Sequence, residues 1–114
     1  MKAELKNYRQ SPRKVRLVAN LVKGMAVNTA LTELDFLAKR AADPIKKLVK
    51  SAVANAGDVK GSLIIKNITV DKGITLKRSM PVSRGSAHPI HKHTSRVIVT
   101  LGLASETKKT SKKK

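Results

Sequence analysis

The chain has 114 residues, 40% of them hydrophobic, enough for one small folded domain and too many for wholesale disorder. It contains no cysteine, which excludes disulfides, thiol catalysis and thiolate metal sites, and no apolar run approaches the roughly 18 to 20 residues that span a bilayer. Twenty-five Lys/Arg against seven Asp/Glu give +18, a charge that opposes compaction unless a polyanion neutralises it, with nucleic acid ahead of an anionic membrane as the candidate.

Residues 2–9, KAELKNYR, read as a short strand. The segment SPRKVRLVANLVKG is a well-punctuated helix: Ser11 is a capping residue type, Pro12 suits the first helical position, and Gly24 can close the end. Val15, Val18, Ala19 and Val22 form its apolar stripe, while Arg13, Arg16, Asn20 and Lys23 fall on another face. That face carries cations without the glutamates that a solvated helix tends to pair with them, which points to phosphate contact. A second helix, roughly Asn28 to Phe36, offers Ala30, Leu31 and Leu34 to a core and carries Glu33 and Asp35, so it is expected to face away from the anion.

The third helix, in DPIKKLVKSAVANAGD, has the strongest period. Ile45, Leu48, Val49, Ala52, Val53 and Ala56 make one stripe, with Lys46, Lys47 and Lys50 off it. It starts either with Asp43 and Pro44 as cap and first residue, or near Lys39 with Pro44 in the first turn; Gly57 and Gly61 end it. From Ser62 the pattern turns β-branched. Ile64, Ile68 and Val70 are expected on one strand face, with Lys66 breaking the alternation. In RVIVTLGL, Val97, Val99, Leu101 and Leu103 alternate with Arg96, Thr100 and Gly102.

Between these strands lie residues 71–95, too long for an ordinary hairpin loop. The stretch reads as an antiparallel hairpin whose arms outrun the body, with about ten residues per arm at roughly 3.3 Å each reaching some 30 Å. Pro81, Pro89 and Gly85 suit its tip, and Lys77, Arg78, Arg84, Lys92 and Arg96 are spread along it.

His88, His91 and His93 raise the question of a metal or a general base. No carboxylate or cysteine lies between Asp71 and Glu106, and the surrounding cations would repel a metal, so no metal, no cofactor and no catalysis is expected. One Tyr and one Phe cannot build the base-stacking platforms of common single-strand binders. Phosphate contacts and shape are the better reading. The tail TKKTSKKK holds five lysines, so +13 of the +18 remains without it. The body itself must face the anion.

The motifs SPRKVRLVANLVKG, LVKSAVANA, VDKGITLKR and RGSAHPIHKHTSRVIVTLG resemble, in order and spacing, the large-subunit ribosomal protein twenty-two family, from about Tyr8 to Gly102. The resemblance implies an α+β fold: a small three-helix body packed on a three-stranded antiparallel sheet, with a long extended β-hairpin buried in ribosomal RNA. It implies one rRNA-binding domain over residues 1–106, including the hairpin at about 71–96, and a basic, disordered tail over 107–114. The implied role is a structural one in the large subunit, supporting its assembly and lining the nascent-peptide exit tunnel.

Arg9, Arg13, Lys14, Arg16, Lys23, Lys77, Arg78, Arg84, His88, His91, Lys92, His93 and Arg96 would then contact rRNA. Val82, Ser83, Arg84, Gly85, Ser86 and Ala87 would form the tunnel tip. Members often carry arginine where Val82 stands and a basic residue where Ser86 stands, so this tip is less charged. The implied partners are large-subunit rRNA, neighbouring large-subunit proteins and the nascent peptide, with no membrane and no homo-oligomer. The implied location is a cytoplasmic or organellar ribosome. The competing reading is an architectural protein gripping duplex DNA with proline-tipped β-arms.

Overall fold

A computed structural model describes residues 1–57 and 62–104. In chain order they form β1 (Lys2–Tyr8), α1 (Pro12–Val22), α2 (Val27–Phe36), α3 (Ala42–Ala56), β2 (Leu63–Lys72), β3 (Leu76–Pro81), a 3₁₀ turn (Ser83–Gly85), β4 (Ala87–Lys92) and β5 (Ser95–Leu103). Gly61 and the lysine-rich tail lie outside the described residues.

Two separate antiparallel sheets result. The body sheet has the order β1-β5-β2, so β5 is central, and β3 pairs only with β4. One face of the body sheet buries Ala3, Ile65, Ile68, Val70, Val97, Val99 and Leu101 against Val15, Val18 and Val22 of α1, Ala30 and Leu34 of α2, and Ile45, Val49 and Ala52 of α3. Fully burying side chains of this size stabilises by roughly 1.5–3 kcal/mol each. The long axis measures 64 Å against 32 and 23 Å. The radius of gyration is 17.9 Å, where a compact chain of about 100 residues has about 13 Å. The difference is the β3–β4 ribbon standing out from the body. The α+β architecture with its extended hairpin is as the sequence led one to expect.

The local details depart from the sequence reading in five places. Ser11 occupies the cap position of α1 but its side chain makes no capping bond; its carbonyl instead accepts from Lys14 N–H at 3.1 Å and Val15 N–H at 3.2 Å. Helix α2 starts one residue early, at Val27, which is buried. For α3, the start is Ala42, with Ala41 as cap; Pro44 lies in the first turn, as in the second alternative, though the helix begins three residues after Lys39, and Asp43 is not the cap. Proline is tolerated there because first-turn amides have no intrahelical acceptor. Pro89 lies inside β4 opposite Ser79 rather than at the tip, a position open to proline because both strands of a two-stranded ribbon are edges.

The fifth departure is in β2. Ile65 is fully buried and Ile64 only half-buried, the reverse of the expected face. The register of β2 on β5 slips between Ile65 and Asn67, a bulge at Lys66 that moves every residue before it to the opposite face. Gly24, with φ +83°, and Met25 secure the bulged end: Gly24 N–H donates to Ile65 O and Ile65 N–H to Met25 O, both at 2.9 Å. The turn after α1 thus covers the edge of β2.

Candidate nucleic-acid interface

Where the ribbon leaves the body, the two ladders are interrupted between Lys72 and Leu76 on one strand and between Lys92 and Ser95 on the other. This shoulder is tightly built. Gly73 N–H donates to Thr94 O at 2.9 Å, and Thr94 Oγ1 donates to Ile74 O. A Cβ on Gly73 would stand 2.5 Å from Thr94 Oγ1 and 3.3 Å from the Thr94 carbonyl, so only glycine permits this approach. Ser95 is fully buried, and its hydroxyl donates to Gln10 O, tying the β1–α1 turn to the same shoulder.

Tyr8 closes the arrangement from the other side. Its hydroxyl donates to Gln10 Oε1 at 2.7 Å and lies 3.5 Å from Arg40 O, which brings the α2–α3 loop to the β1–α1 turn. Partial burial raises the Tyr8 phenol above its ordinary pKa. Three chain segments distant in sequence therefore meet at the root of the ribbon.

Two adjoining hollows occupy this meeting point. One, of about 380 Å³, is lined by Arg9, Gln10, Ser11, Lys14, Arg40, Lys92 and His93. Its neighbour, of about 480 Å³, is lined by Ser11, Pro12, Arg13, Arg16, Lys72 and His93. Ser11 and His93 form the ridge between them. Seven Lys/Arg converge here with no carboxylate in either lining. Asp71 is adjacent to Lys72 in sequence, but strand alternation places it on the other face, where it pairs in register with Arg96. Such a concentration of like charge raises the energy of the empty crease and favours any anion that enters it.

Arg16 is held in place: its Nε and Nη2 donate to Val70 O at 3.1 and 3.0 Å, fastening α1 to β2 and fixing the guanidinium at the hollow's wall. A pre-positioned guanidinium loses little further freedom on meeting a phosphate.

Beyond the crease the ribbon carries charge on both faces. Register places Lys92, Arg78 and His88 on one side, and Lys77 and His91 on the other. The His91 and His93 rings stack with centroids 6.4 Å apart. Among the described residues after Asp71 there is no acid. At the tip, Arg84 (φ 61°) and Gly85 (φ 70°) are both left-handed, and Val82 N–H donates to Ser86 O at 2.9 Å. Val82 is half-buried and Ser83 to Ala87 are exposed.

Of the residues singled out from sequence, Arg9, Arg13, Lys14, Arg16, Lys92 and His93 come together in the crease. Lys77, Arg78, His88 and His91 line the ribbon, and Arg84 with Val82, Ser83, Gly85, Ser86 and Ala87 makes the turn. Two stand apart. Lys23 is exposed at the far end of α1. Arg96 lies on the open face of the body sheet, its Nε bonded to Glu4 Oε1. That hydrogen bond holds the Glu4 carboxyl below its ordinary pKa and raises Arg96.

Arg40 and Lys72 belong to the crease and escaped the sequence reading. Arg40 sits in the α2–α3 connection and reaches the crease through the Tyr8 contact, while Lys72 is the last residue of β2, placed there by its pairing with Ser95. Leu17 and Leu21 of α1, 65% and 42% exposed, are interleaved with its cations, so the outward face of this helix is not purely charged.

A profile of the family described as ribosomal protein L22p/L17e matches residues 3–102, from β1 almost to the end of β5. The large ribosomal subunit protein uL22 of Myxococcus xanthus (strain DK1622) is 47% identical over 110 residues, covering 91% of this chain and 96% of that relative. Its counterpart in Flavobacterium psychrophilum is 44% identical over 112 residues, 92% and 82% of the two chains. The one in Mycoplasma capricolum subsp. capricolum is 46% identical over 104 residues, 88% and 94%.

Proposed function

The chain belongs to the ribosomal protein L22p/L17e family and is a structural, non-enzymatic constituent of the large ribosomal subunit; from that premise we propose that it is held there by rRNA phosphates at the crease and along both faces of the ribbon. The observation that carries this is the ribbon itself: acid-free beyond Asp71, cationic on both sides, and without a core of its own. One side also carries Leu76, Met80 and Ile90, but Arg78, His88 and Lys92 are interleaved with them, so neither side is a purely apolar face and each offers charge to a phosphate backbone. The grip on duplex DNA considered above finds no support in the comparisons.

The same reading places the turn from Val82 to Ala87 beside the nascent peptide in the exit tunnel, with the body against neighbouring large-subunit proteins and aiding subunit assembly. The turn is narrow, exposed and lightly charged, which suits a wall past which peptides slide.

Deleting residues 80–90 tests it. The shortened chain is expected to enter large subunits and keep its rRNA affinity, while a photoreactive group at position 83 of the full chain crosslinks to nascent peptide in translating ribosomes. Failure of the shortened chain to enter subunits would make the tip an assembly element. Absence of crosslinks would remove the tip from the tunnel.

A further inference from the structure

Resting on the rRNA-binding reading, we infer that the crease takes two successive phosphates of one RNA strand, one in each hollow, and that this clamps the ribbon at a fixed angle to the body.

The two hollows are contiguous, sharing only Ser11 and His93. A strand crossing that ridge would set neighbouring phosphates on either side. The first hollow supplies Arg9, Lys14, Arg40 and Lys92, and the second Arg13, Arg16 and Lys72. The ridge supplies hydrogen bonding suited to the sugar or phosphate between them. The Ser11 hydroxyl is not spent on capping α1, and the His93 imidazole stands at the end of the ribbon strand.

The origin of these residues gives the clamp its consequence. Arg9, Arg13, Lys14, Arg16 and Arg40 belong to the body, as does Lys72, which ends β2 paired with Ser95 of β5; Lys92 ends β4 of the ribbon and His93 follows it. At the shoulder the two strands are joined by the Gly73–Thr94 hydrogen bond and the Thr94–Ile74 contact, with no ladder continuing from one sheet into the other. Anions bridging the two groups of cations add the restraint that so narrow a joint lacks. RNA bound at the root would thereby aim a tip tens of ångströms away.

The chain has no cysteine, so Ser51→Cys on α3 and Ser83→Cys at the tip, both exposed, accept a nitroxide pair cleanly. Pulsed electron-resonance distances are measured on the full chain alone, with the dinucleotide pUpU, and with inorganic phosphate at equal phosphate concentration. The expected result is a distance distribution that narrows with pUpU and changes less with inorganic phosphate. The narrowing should be lost in Arg40→Gln/Lys72→Gln and kept in Lys47→Gln/Lys50→Gln, which removes equal charge from α3. On large-subunit rRNA the first double variant should also lower the salt slope by about 1.5, two contacts at about 0.7–0.9 each.

No narrowing with pUpU, or equal narrowing in the crease variant, overturns the clamp. Equal narrowing with inorganic phosphate overturns the two-phosphate strand register. The underlying reading fails separately, if the affinity of the unmodified chain for large-subunit rRNA does not fall with salt.

Discussion

Single residues in this protein carry meanings that their type alone does not convey. Arg16, Arg40 and Arg96 are all cations, yet one fastens a helix to a strand, one completes a hollow, and one is committed to Glu4. The Glu4–Arg96 pair gives a pH signature. The arginine lowers the pKa of Glu4 in the folded state, so its contribution to stability is present above the unfolded carboxylate value and is lost as pH falls through the folded one. Glu4→Gln is therefore expected to lower Tm slightly at neutral pH, and the gap to the unmodified chain should close in acid. Both groups are exposed, so the effect is small. In an NMR titration Glu4 should have a midpoint below the ordinary range, returning to it in Arg96→Gln; a gap in Tm that widens towards acid would contradict the pairing. Arg96 also shows what sequence alone leaves out: its charge and its position near the hairpin are legible, whereas its partner Glu4 lies 92 residues away along the chain.

At the level of elements, the helices were legible because a 3.6-residue period is local. The stripes Val15–Val22 and Ile45–Ala52 are the buried faces observed. The strand β2 was legible as a strand but not in its facing, because a bulge is settled by what pairs with each edge. β5 on one side and the Gly24–Met25 turn on the other shift the phase at Lys66. Paired truncations read this out. Ile65→Ala should cost about 2–5 kcal/mol in chemical denaturation, as a fully buried large-to-small change does, and Ile64→Ala less than about half of that. Equal costs, or a larger one at Ile64, would mean the strand pairs without the bulge. The tip is a second case. Gly85 is an evident turn residue, but the left-handed Arg84 beside it is dictated by the closure of Val82 on Ser86 rather than by its own preference.

For the whole molecule, the division into a packed body and an unpacked ribbon governs behaviour off and on the ribosome. Among the described residues, every large fully buried side chain belongs to the body or to the shoulder. An isolated two-stranded hairpin is marginally stable in water, so the amides of β3 and β4 are expected to exchange orders of magnitude faster than those of β5 in the free chain. In purified large subunits they should become protected. Ribbon protection matching β5 in the free chain would show that the ribbon is stable without RNA. Read by itself, the sequence determined the charge and therefore the kind of partner, the helices and strands as elements, the overlong acid-free hairpin, and a family resemblance. These are properties of composition, local period and motif order. Only the tertiary structure decided the face of β2, the pairing of Arg96 with Glu4, and the crease that joins Arg40 and Lys72 to Arg9, Lys14 and Lys92. Those depend on which distant segments touch, and here Tyr8, Ser95 and Gly73 bring them together through hydrogen bonds and close approaches that leave no periodic trace in the chain.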